Sequence, residues 1–174
     1  MGKDSKMNEN EQRQIFREWL GAYRALLFKV IKAYAFNAED QNDLFQDVCL
    51  QVYRSIPNFK ARSAITTWLY RVALNTAITW STREKKHVDG HHDIAAMTKL
   101  LETGNEPDDE RVTWLYAEIK KLNEIDRSLT LLLLDGYSYS EMAELMGISE
   151  GNIGVKIHRI KKQLISNAKQ FDHD

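Results

Sequence analysis

Residues 137–164 read YSYSEMAELMGISEGNIGVKIHRIKKQL, and this stretch carries the start and stop signals of two consecutive helices. Ser138 is followed three residues later by Glu141, which is the capping-box spacing at the start of a helix. We expect that helix to end at Gly147, because glycine readily takes the left-handed conformation that closes a helix. Ser149 is then a natural N-cap for the second helix. The stretch therefore predicts a helix-turn-helix.

The second helix of this stretch has one apolar and one basic face. At about 100° per residue, four apolar side chains fall within a narrow arc. They are Ile153, Ile157, Ile160 and Leu164. Opposite them lie Gly151, Val155, His158, Arg159 and Lys162, with Asn152, Gly154 and Lys156 on the flanks. The apolar face is expected to pack on the first helix, which leaves the basic face exposed.

The charge of this segment favours DNA binding. Residues 149–170 carry five basic side chains and one acidic one, a local charge of +4 in a chain whose net charge is -1. A phosphate backbone senses such a local basic face. An isolated basic helix is more often a solvated surface helix, but the capped helix before it favours a DNA reader with cations on phosphates.

The N-terminal half predicts three further helices. Apolar residues over 15–34 recur at spacings of three and four, which predicts one long helix. A second helix is expected over 39–55, ended by Pro57, whose ring biases Ile56 away from helical geometry. A third helix is expected over 66–83. These three helices are expected to form one domain.

Residues 85–110 interrupt the helical periodicity with charges, two glycines and a proline, so we predict a flexible linker with one short helix at 94–102. Helical spacing resumes at Leu115 and continues to Gly136, a predicted C-terminal cap. The expected fold is all-α, with two small helical domains on a flexible tether. The predicted divisions are an extension at 1–13, a first domain at 14–84, a linker at 85–110 and a second domain at 111–170.

Composition excludes several classes of protein. Apolar residues make up 43% and charged residues 28% of the chain, as in a soluble globular protein, and no apolar run approaches the roughly 18 residues that span a bilayer. Because the N-terminus also lacks the apolar core of a signal peptide, we expect a cytoplasmic protein without membrane insertion. The single cysteine, Cys49, lies in an apolar run and is expected to be a small buried residue.

Residues 38–86 read AEDQNDLFQDVCLQVYRSIPNFKARSAITTWLYRVALNTAITWSTREKK. This text resembles region two of the sigma-70 family of bacterial transcription initiation factors, and residues 112–164 resemble region four. With a linker between them and no recognisable region three, the arrangement resembles the extracytoplasmic-function (ECF) group. The resemblance implies a noncatalytic subunit without a cofactor, which binds core RNA polymerase and directs it to specific promoters.

In that family, the helix bearing DLFQDVCLQVY docks on the clamp helices of the largest polymerase subunit, and the flap of the second-largest subunit is a further polymerase contact. By match, the polymerase-binding residues are Asp43, Gln46, Asp47, Leu50 and Tyr53. Helical geometry agrees for Leu50, which lies about 140° or more from the apolar face of this helix. The alternative is a helix buried on two sides within its own bundle.

The loop at 58–63 and the helix after it match the part of the family that captures the unwound non-template strand of the minus-ten element. Unstacked bases are held by aromatic surfaces, amides and a basic track. The candidates are Asn58, Phe59, Lys60, Arg62, Trp68, Tyr70, Arg71, Asn75 and Arg83, with Lys85 and Lys86 extending the track. Taken alone, Phe59 and Trp68 are more often core residues.

Region four of the family reads the minus-thirty-five element as duplex, with a recognition helix whose usual run is Gly-Thr-Val-Lys-Ser-Arg. The matching candidates are Ser149, Glu150, Gly151, Asn152, Val155, Lys156, His158, Arg159 and Lys162. This chain departs from the usual run at Gly154, where a basic residue is usual. That glycine costs helix propensity by up to about 1 kcal/mol relative to alanine and removes one possible phosphate contact.

Two other functions would account for parts of the chain. A stand-alone helix-turn-helix regulator explains the C-terminal half but leaves DLFQDVCLQVY and TTWLYRVALN unexplained. A metal-dependent enzyme would use His87, His91, His92 and Asp93, but these lie in the predicted linker, and zinc ligands need a scaffold that fixes them. The family resemblance also implies an anti-sigma partner that masks the polymerase-binding surfaces.

Overall fold

A computed structural model of the chain describes residues 7–84 and 109–171, and every regular element within these two ranges is a helix. The two ranges belong to two compact units, an N-terminal unit and a C-terminal unit. The predicted linker helix at 94–102 and the histidines at 87, 91 and 92 lie outside the described residues. The all-α, two-unit expectation is confirmed.

The N-terminal unit is a helical bundle. Residues 7–84 form α1 (Glu9–Ala22), α2 (Arg24–Tyr34), α3 (Ala38–Ser55), a short 3-10 helix (Ile56–Asn58) and α4 (Ile65–Glu84). Helix α4 packs against both α2 and α3 around an apolar core. The core side chains with 0% exposure include Val30, Leu44, Val48 and Leu74. Helix α1 begins at Glu9, within the predicted extension, and Gln12 Nε2 donates to the Tyr53 carbonyl at 2.6 Å, so this part of the extension belongs to the bundle.

The predicted single helix over 15–34 is wrong, because the chain leaves helical geometry at Tyr23, with φ -113° and ψ 18°. The break lets α1 pack on α3 and the 3-10 helix while α2 packs on α4. Gly21 lies two residues before it, where low helix propensity weakens a continuous helix. One non-helical residue hardly disturbs the spacing of apolar positions, so periodicity could not detect the break.

Ile56 also differs from expectation. Pro57 follows α3 as predicted, but Ile56 keeps helical angles, φ -50° and ψ -45°, and begins the 3-10 helix. Its side chain is 1% exposed, and its carbonyl accepts from Phe59 N at 3.0 Å. Burial of this side chain and the turn hydrogen bond thus outweigh the steric bias of a residue before proline.

The described residues of the C-terminal unit, 109–171, form four helices. They are α5 (Glu110–Lys121), α6 (Glu124–Leu134), α7 (Tyr139–Met146) and α8 (Glu150–Phe171). Asn123 separates the first two, since its side chain accepts from Asp126 N at 3.0 Å and caps α6. Gly136 has φ +81°, and its N–H donates to Leu133 O at 3.1 Å, so the predicted glycine cap is confirmed.

Buried polar groups fix the ends of the helices in this unit. Arg127 is 7% exposed, and its Nη2 donates to Lys120 O at 3.0 Å and Leu122 O at 2.9 Å, which satisfies carbonyls at the end of α5. Glu118, 4% exposed, accepts from Lys121 Nζ and Asn167 Nδ2, both at 2.6 Å. The Lys121 hydrogen bond lowers the pKa of Glu118, and the Asn167 bond joins α5 to the end of α8.

Cys49 is buried in the N-terminal unit as expected, with 3% exposure, and desolvation raises the pKa of its thiol to about 12. Across the described ranges, no helix combines the length and the apolar character that crossing a bilayer requires. Within the same ranges, no histidine, cysteine, aspartate or glutamate cluster is arranged to hold a metal ion.

Candidate polymerase and nucleic-acid interfaces

The outer face of α3 carries an exposed leucine. Leu50 is 45% exposed, whereas Phe45, Val48 and Val52 on the inner face are at most 2% exposed. The alternative of a helix buried on both sides therefore does not hold for Leu50 within this bundle. Asp43, Gln46 and Asp47 are half-buried on the same outer face.

Tyr53, the fifth predicted polymerase contact, lies at the flank of this face. Its ring packs edge-on against Phe16 of α1, with centroids 5.6 Å apart and an interplanar angle of 86°. The structure thus brings four of the five residues together and places Tyr53 at the border with α1.

A groove of about 550 Å³ lies between α3 and α4. Asp47 and Leu50 line it from α3, and Asn75 and Arg83 line it from α4. Two residues predicted to bind polymerase and two predicted to bind DNA therefore share one depression. Sequence reasoning treated the two sets separately, because the depression exists only once α3 and α4 pack.

Three aromatic rings form a cluster beside the predicted minus-ten loop. Trp19 of α1 lies 5.1 Å from Phe59 and 5.5 Å from Trp68 between ring centroids, and Phe59 lies 5.3 Å from Trp68. All three side chains are half-buried, so the rings support one another and still present part of their surface to solvent. Sequence reasoning missed Trp19, which it assigned only to the apolar face of the first helix.

The polar residues of the loop are accessible. Asn58, Lys60 and Arg62 are exposed, and Ala61 between the two cations has a positive φ of 51°, which turns the chain sharply. On α4, Arg71 is half-buried, whereas Asn75 and Arg83 are exposed. The loop and the first turns of α4 therefore combine cations, amides and partly exposed rings, the groups that hold single-stranded nucleic acid.

Tyr70 is a correction to the predicted set. Its side chain is 1% exposed and lies among the largest fully buried side chains of the chain. On α4 it points to the interior, about 200° around the helix from Trp68. Tyr70 is therefore a core residue in this conformation and offers no ring to a DNA base.

The predicted helix-turn-helix is present in α7 and α8. Ser138 N donates to Glu141 Oε2 at 2.7 Å and Glu141 N donates to Ser138 Oγ at 3.2 Å, so the capping box is confirmed. The hydrogen bonds from Ser138 lower the pKa of Glu141. Gly147 has φ +67°, and Ser149 Oγ accepts from Asn152 N at 3.3 Å, which confirms the turn and the second cap.

The two faces of α8 are also as expected. Ile153 and Ile157 have 0% exposure and Ile160 has 2%, whereas Leu164 is half-buried. Eight of the nine predicted minus-thirty-five residues are exposed, so a duplex could reach them. They are Ser149, Glu150, Gly151, Asn152, Val155, His158, Arg159 and Lys162.

Lys156 differs from the other predicted residues, because an acidic side chain holds it. Its Nζ donates to Asp126 Oδ1 of α6 at 3.0 Å, and the two side chains are 34% and 20% exposed. Asp126 Oδ2 in turn accepts from Asn123 Nδ2 at 2.8 Å. Asp126 was missed because it lies thirty residues before Lys156 and only packing brings the two together.

Gly154 faces the first helix of the motif. A Cβ atom built on it would lie 3.8 Å from Tyr139 Cε2 and 3.9 Å from Tyr139 Cδ2, which is ordinary van der Waals distance. At Gly151 such an atom would meet nothing within 4 Å. Neither glycine is required by the space around it.

Two family models match the chain in the expected order. Residues 19–87 match sigma-70 region 2, and residues 113–164 match sigma-70 region 4. The chain belongs to the sigma-70 family. Like its ECF relatives, this sigma factor is a transcription initiation factor that binds core RNA polymerase and directs it to promoters.

Curated relatives carry the same assignment. The ECF RNA polymerase sigma-E factor of Haemophilus influenzae is 27% identical over 137 residues, which cover 72% of each chain. RNA polymerase sigma factor YlaC of Bacillus subtilis is 28% identical over 136 residues, 74% of this chain and 78% of the relative.

Solved structures share the fold. The sigma factor RpoE, solved with the anti-sigma factor NepR from Bartonella quintana, has a TM-score of 0.63 at 18% identity, covering 90% of this chain and 98% of that chain. CnrH, solved with the cytosolic domain of CnrY, has a TM-score of 0.62 at 17% identity, covering 91% and 90%.

Proposed function

We propose that each unit of this sigma factor reads one promoter element while the N-terminal unit also docks on polymerase. In this assignment region 2 captures the unwound minus-ten strand and region 4 binds the minus-thirty-five element as duplex. The observation that carries it is Leu50, an apolar side chain 45% exposed on a face with two carboxylates, in a unit that also presents a basic aromatic loop.

The outer face of α3 is the proposed contact with the clamp helices of the largest polymerase subunit. Covering Leu50 would remove apolar surface from water, and the carboxylates of Asp43 and Asp47 around it would select a basic partner surface. Gln46 completes the face, and Tyr53 extends it toward α1. The flap of the second-largest subunit is the proposed contact of region 4.

The loop and α4 are the proposed minus-ten site. Lys60, Arg62, Arg71 and Arg83 would follow the phosphates, Asn58 and Asn75 would offer amides, and Phe59 and Trp68 would offer ring surface to unstacked bases. Trp19 packs edge-on against both rings. Tyr70 is left out because it is buried.

Helix α8 is the proposed reader of the minus-thirty-five duplex. Its buried isoleucines fix it to the unit, while His158, Arg159 and Lys162 lie on the exposed side, where cations can neutralise phosphates. Lys156, held by Asp126, would be presented at a fixed position rather than on a freely moving stem. The exposed N-terminal residues of α8 would face base edges in the major groove.

Dividing recognition between two small units explains the modest charge of the chain. Two weak contacts that are held on one scaffold act as a single strong contact, because the second event occurs at a high effective concentration. Core polymerase would provide that scaffold, so neither unit needs a strongly basic surface. A net charge of -1 fits this division of the work.

Three further properties belong to the same proposal. The protein would act in the cytoplasm, where polymerase is found, and would carry out no catalysis of its own. An anti-sigma protein would hold it inactive. This is supported by the two similar structures, since RpoE was solved with the anti-sigma factor NepR and CnrH was solved with the cytosolic domain of CnrY. That partner would cover the Leu50 face and compete with polymerase.

Transcript start mapping tests the proposal. Purified protein added to a matched core polymerase should produce transcripts that start at discrete sites, whereas core polymerase alone should not. A stand-alone helix-turn-helix regulator would instead bind specific duplexes without polymerase and leave the start sites of core enzyme unchanged. That second pattern would refute the assignment.

A further inference from the structure

Val155 is an exposed apolar side chain on the outer face of α8, opposite the buried isoleucines. At about 100° per residue it lies about 200° around the helix from Ile153, which has 0% exposure. Its own exposure is 52%, the largest of any hydrophobic residue in the first three turns of α8. A branched apolar side chain at that place is positioned toward whatever this helix binds.

The residues around Val155 leave it prominent. Gly151 lies one turn earlier, so only backbone borders the valine there, and Asn152 is the neighbouring side chain three positions before it. A Cβ at Gly151 would meet nothing within 4 Å, which means that this part of the helix surface is bare backbone. The helix can therefore approach a groove floor closely, with the two methyl groups of Val155 leading.

The polar residues of the next turn would hold the helix in a DNA groove. His158 and Arg159 are both exposed and lie three and four positions after Val155, on the same side of the helix. Cationic and hydrogen-bonding side chains contact phosphates and base acceptors, but valine can do neither. Its contribution to recognition must come from apolar contact.

The major groove offers one apolar group on its base edges, the 5-methyl group of thymine. We propose that Val155 selects a T·A base pair in the minus-thirty-five element by packing on this methyl group. The inference rests on the proposed docking of α8 in the major groove and adds a base preference to it. A serine, usual at this position of the family's run, could hydrogen-bond instead and would not require the methyl group.

The first arm of the test uses the holoenzyme formed from the full chain and core polymerase. Promoters with a randomised minus-thirty-five region are selected by the wild-type holoenzyme and by the Val155→Ser holoenzyme. Wild type should enrich thymine at one position, on either strand, and Val155→Ser should lose that enrichment while keeping the preferences at the other positions. Binding to core polymerase should be the same for both proteins, because Val155 lies on the face of α8 that is proposed to meet DNA, and titration with labelled core polymerase checks this.

The second arm isolates the methyl group. Deoxyuridine in place of that thymine removes the 5-methyl group and preserves base pairing. Binding by wild-type holoenzyme should weaken about fourfold, the effect of exposing one buried methyl group, and binding by Val155→Ser should change less than about twofold. A promoter with 5-methylcytosine at the same position should bind wild-type holoenzyme more tightly than a promoter with cytosine there, and Val155→Ser should bind the two equally.

The outcomes separate this inference from the docking on which it rests. Two outcomes overturn the Val155 assignment and leave the docking intact. In the first, deoxyuridine weakens binding equally in wild type and in Val155→Ser. In the second, wild type has a minus-thirty-five preference, but no thymine in it is lost in Val155→Ser. A flat minus-thirty-five profile in a holoenzyme that still opens promoters overturns the docking of α8 as well.

Discussion

Lys156 of the recognition helix α8 is bound to Asp126 of α6, with Nζ and Oδ1 3.0 Å apart. The contact joins two helices of the C-terminal unit that are otherwise held by apolar packing. It also fixes a basic side chain whose predicted partner is a DNA phosphate. Asp126 therefore affects both the stability of the unit and the position of a cation.

A double-mutant cycle measures this contact. Asp126→Asn and Lys156→Met should be coupled by about 0.2–1 kcal/mol in the free energy of unfolding, the range for partly exposed ion pairs. The coupling should shrink in high salt, because partly exposed charges are screened. Chemical denaturation of the four proteins gives the value. A coupling of zero at low salt would mean that the pair does not hold the helices together in solution.

Gly154 allows a stabilising substitution in the recognition helix. Gly154→Ala should raise the free energy of unfolding of the C-terminal unit by up to about 1 kcal/mol, because alanine has the higher helix propensity. The new Cβ would lie 3.8 Å from the Tyr139 ring and needs no rearrangement. Urea denaturation followed by circular dichroism checks the increase. Gly147→Ala is the contrasting variant, since φ is +67° there, and it should destabilise.

Leu50 gives a direct test of the polymerase surface. Leu50→Ala should weaken binding to core polymerase by about four- to twelvefold, because covering the 45% of Leu50 that is exposed gains about half of the roughly 1.5–3 kcal/mol for fully burying a leucine. Phe36→Ala is the control, since that side chain is 49% exposed in the same unit and lies outside α3. Fluorescence titration with labelled core polymerase measures both affinities. Equal loss in the two variants would remove Leu50 from the interface.

The sequence predicted elements whose signals are local. The capping box of Ser138 and Glu141, the glycine at 147 and the buried isoleucine face all depend on residues within about four positions of one another. The sequence therefore predicted the helix-turn-helix together with the positions at which its first helix begins and ends and its second helix begins. The break at Tyr23 was not, because one non-helical residue leaves the apolar spacing almost unchanged.

Contacts between distant residues could not be predicted from local patterns. Trp19 joins Phe59 and Trp68 only after α1 folds over the loop, and Asp126 reaches Lys156 across thirty residues. Tyr70 shows the reverse error, because an aromatic residue in a matched segment was assigned to DNA although it fills the core. A motif indicates which residue types are present, and packing decides which of them face outward.

Cys49 should be chemically inert in the folded protein. Burial raises the pKa of its thiol to about 12, so almost no thiolate exists at pH 8. Iodoacetamide should modify the urea-unfolded chain rapidly and the native chain very slowly, as mass spectrometry can show.

The raised pKa of Cys49 also lowers the stability of the fold at high pH. Between the ordinary thiol pKa and about 12, the thiol loses its proton in the unfolded state but keeps it in the folded state, so the free energy of unfolding falls as pH rises. Cys49→Ala should flatten that part of the pH profile.

Trp19 should affect promoter opening indirectly, because it packs against Phe59 and Trp68, which are the predicted base contacts. Trp19→Leu keeps an apolar residue in α1 and removes the edge contacts at 5.1 and 5.5 Å, so Phe59 and Trp68 lose their support. Open-complex formation should slow several-fold, while affinity for core polymerase should stay within about twofold because the Leu50 face is untouched. Permanganate footprinting of melted thymines, with a promoter already mismatched at the minus-ten element as the control, separates the two steps. If Trp19 acts by positioning the two rings that capture bases, premelted DNA should relieve most of the defect. If the defect on premelted DNA is undiminished and polymerase binding is weaker, the substitution disturbs the whole N-terminal bundle.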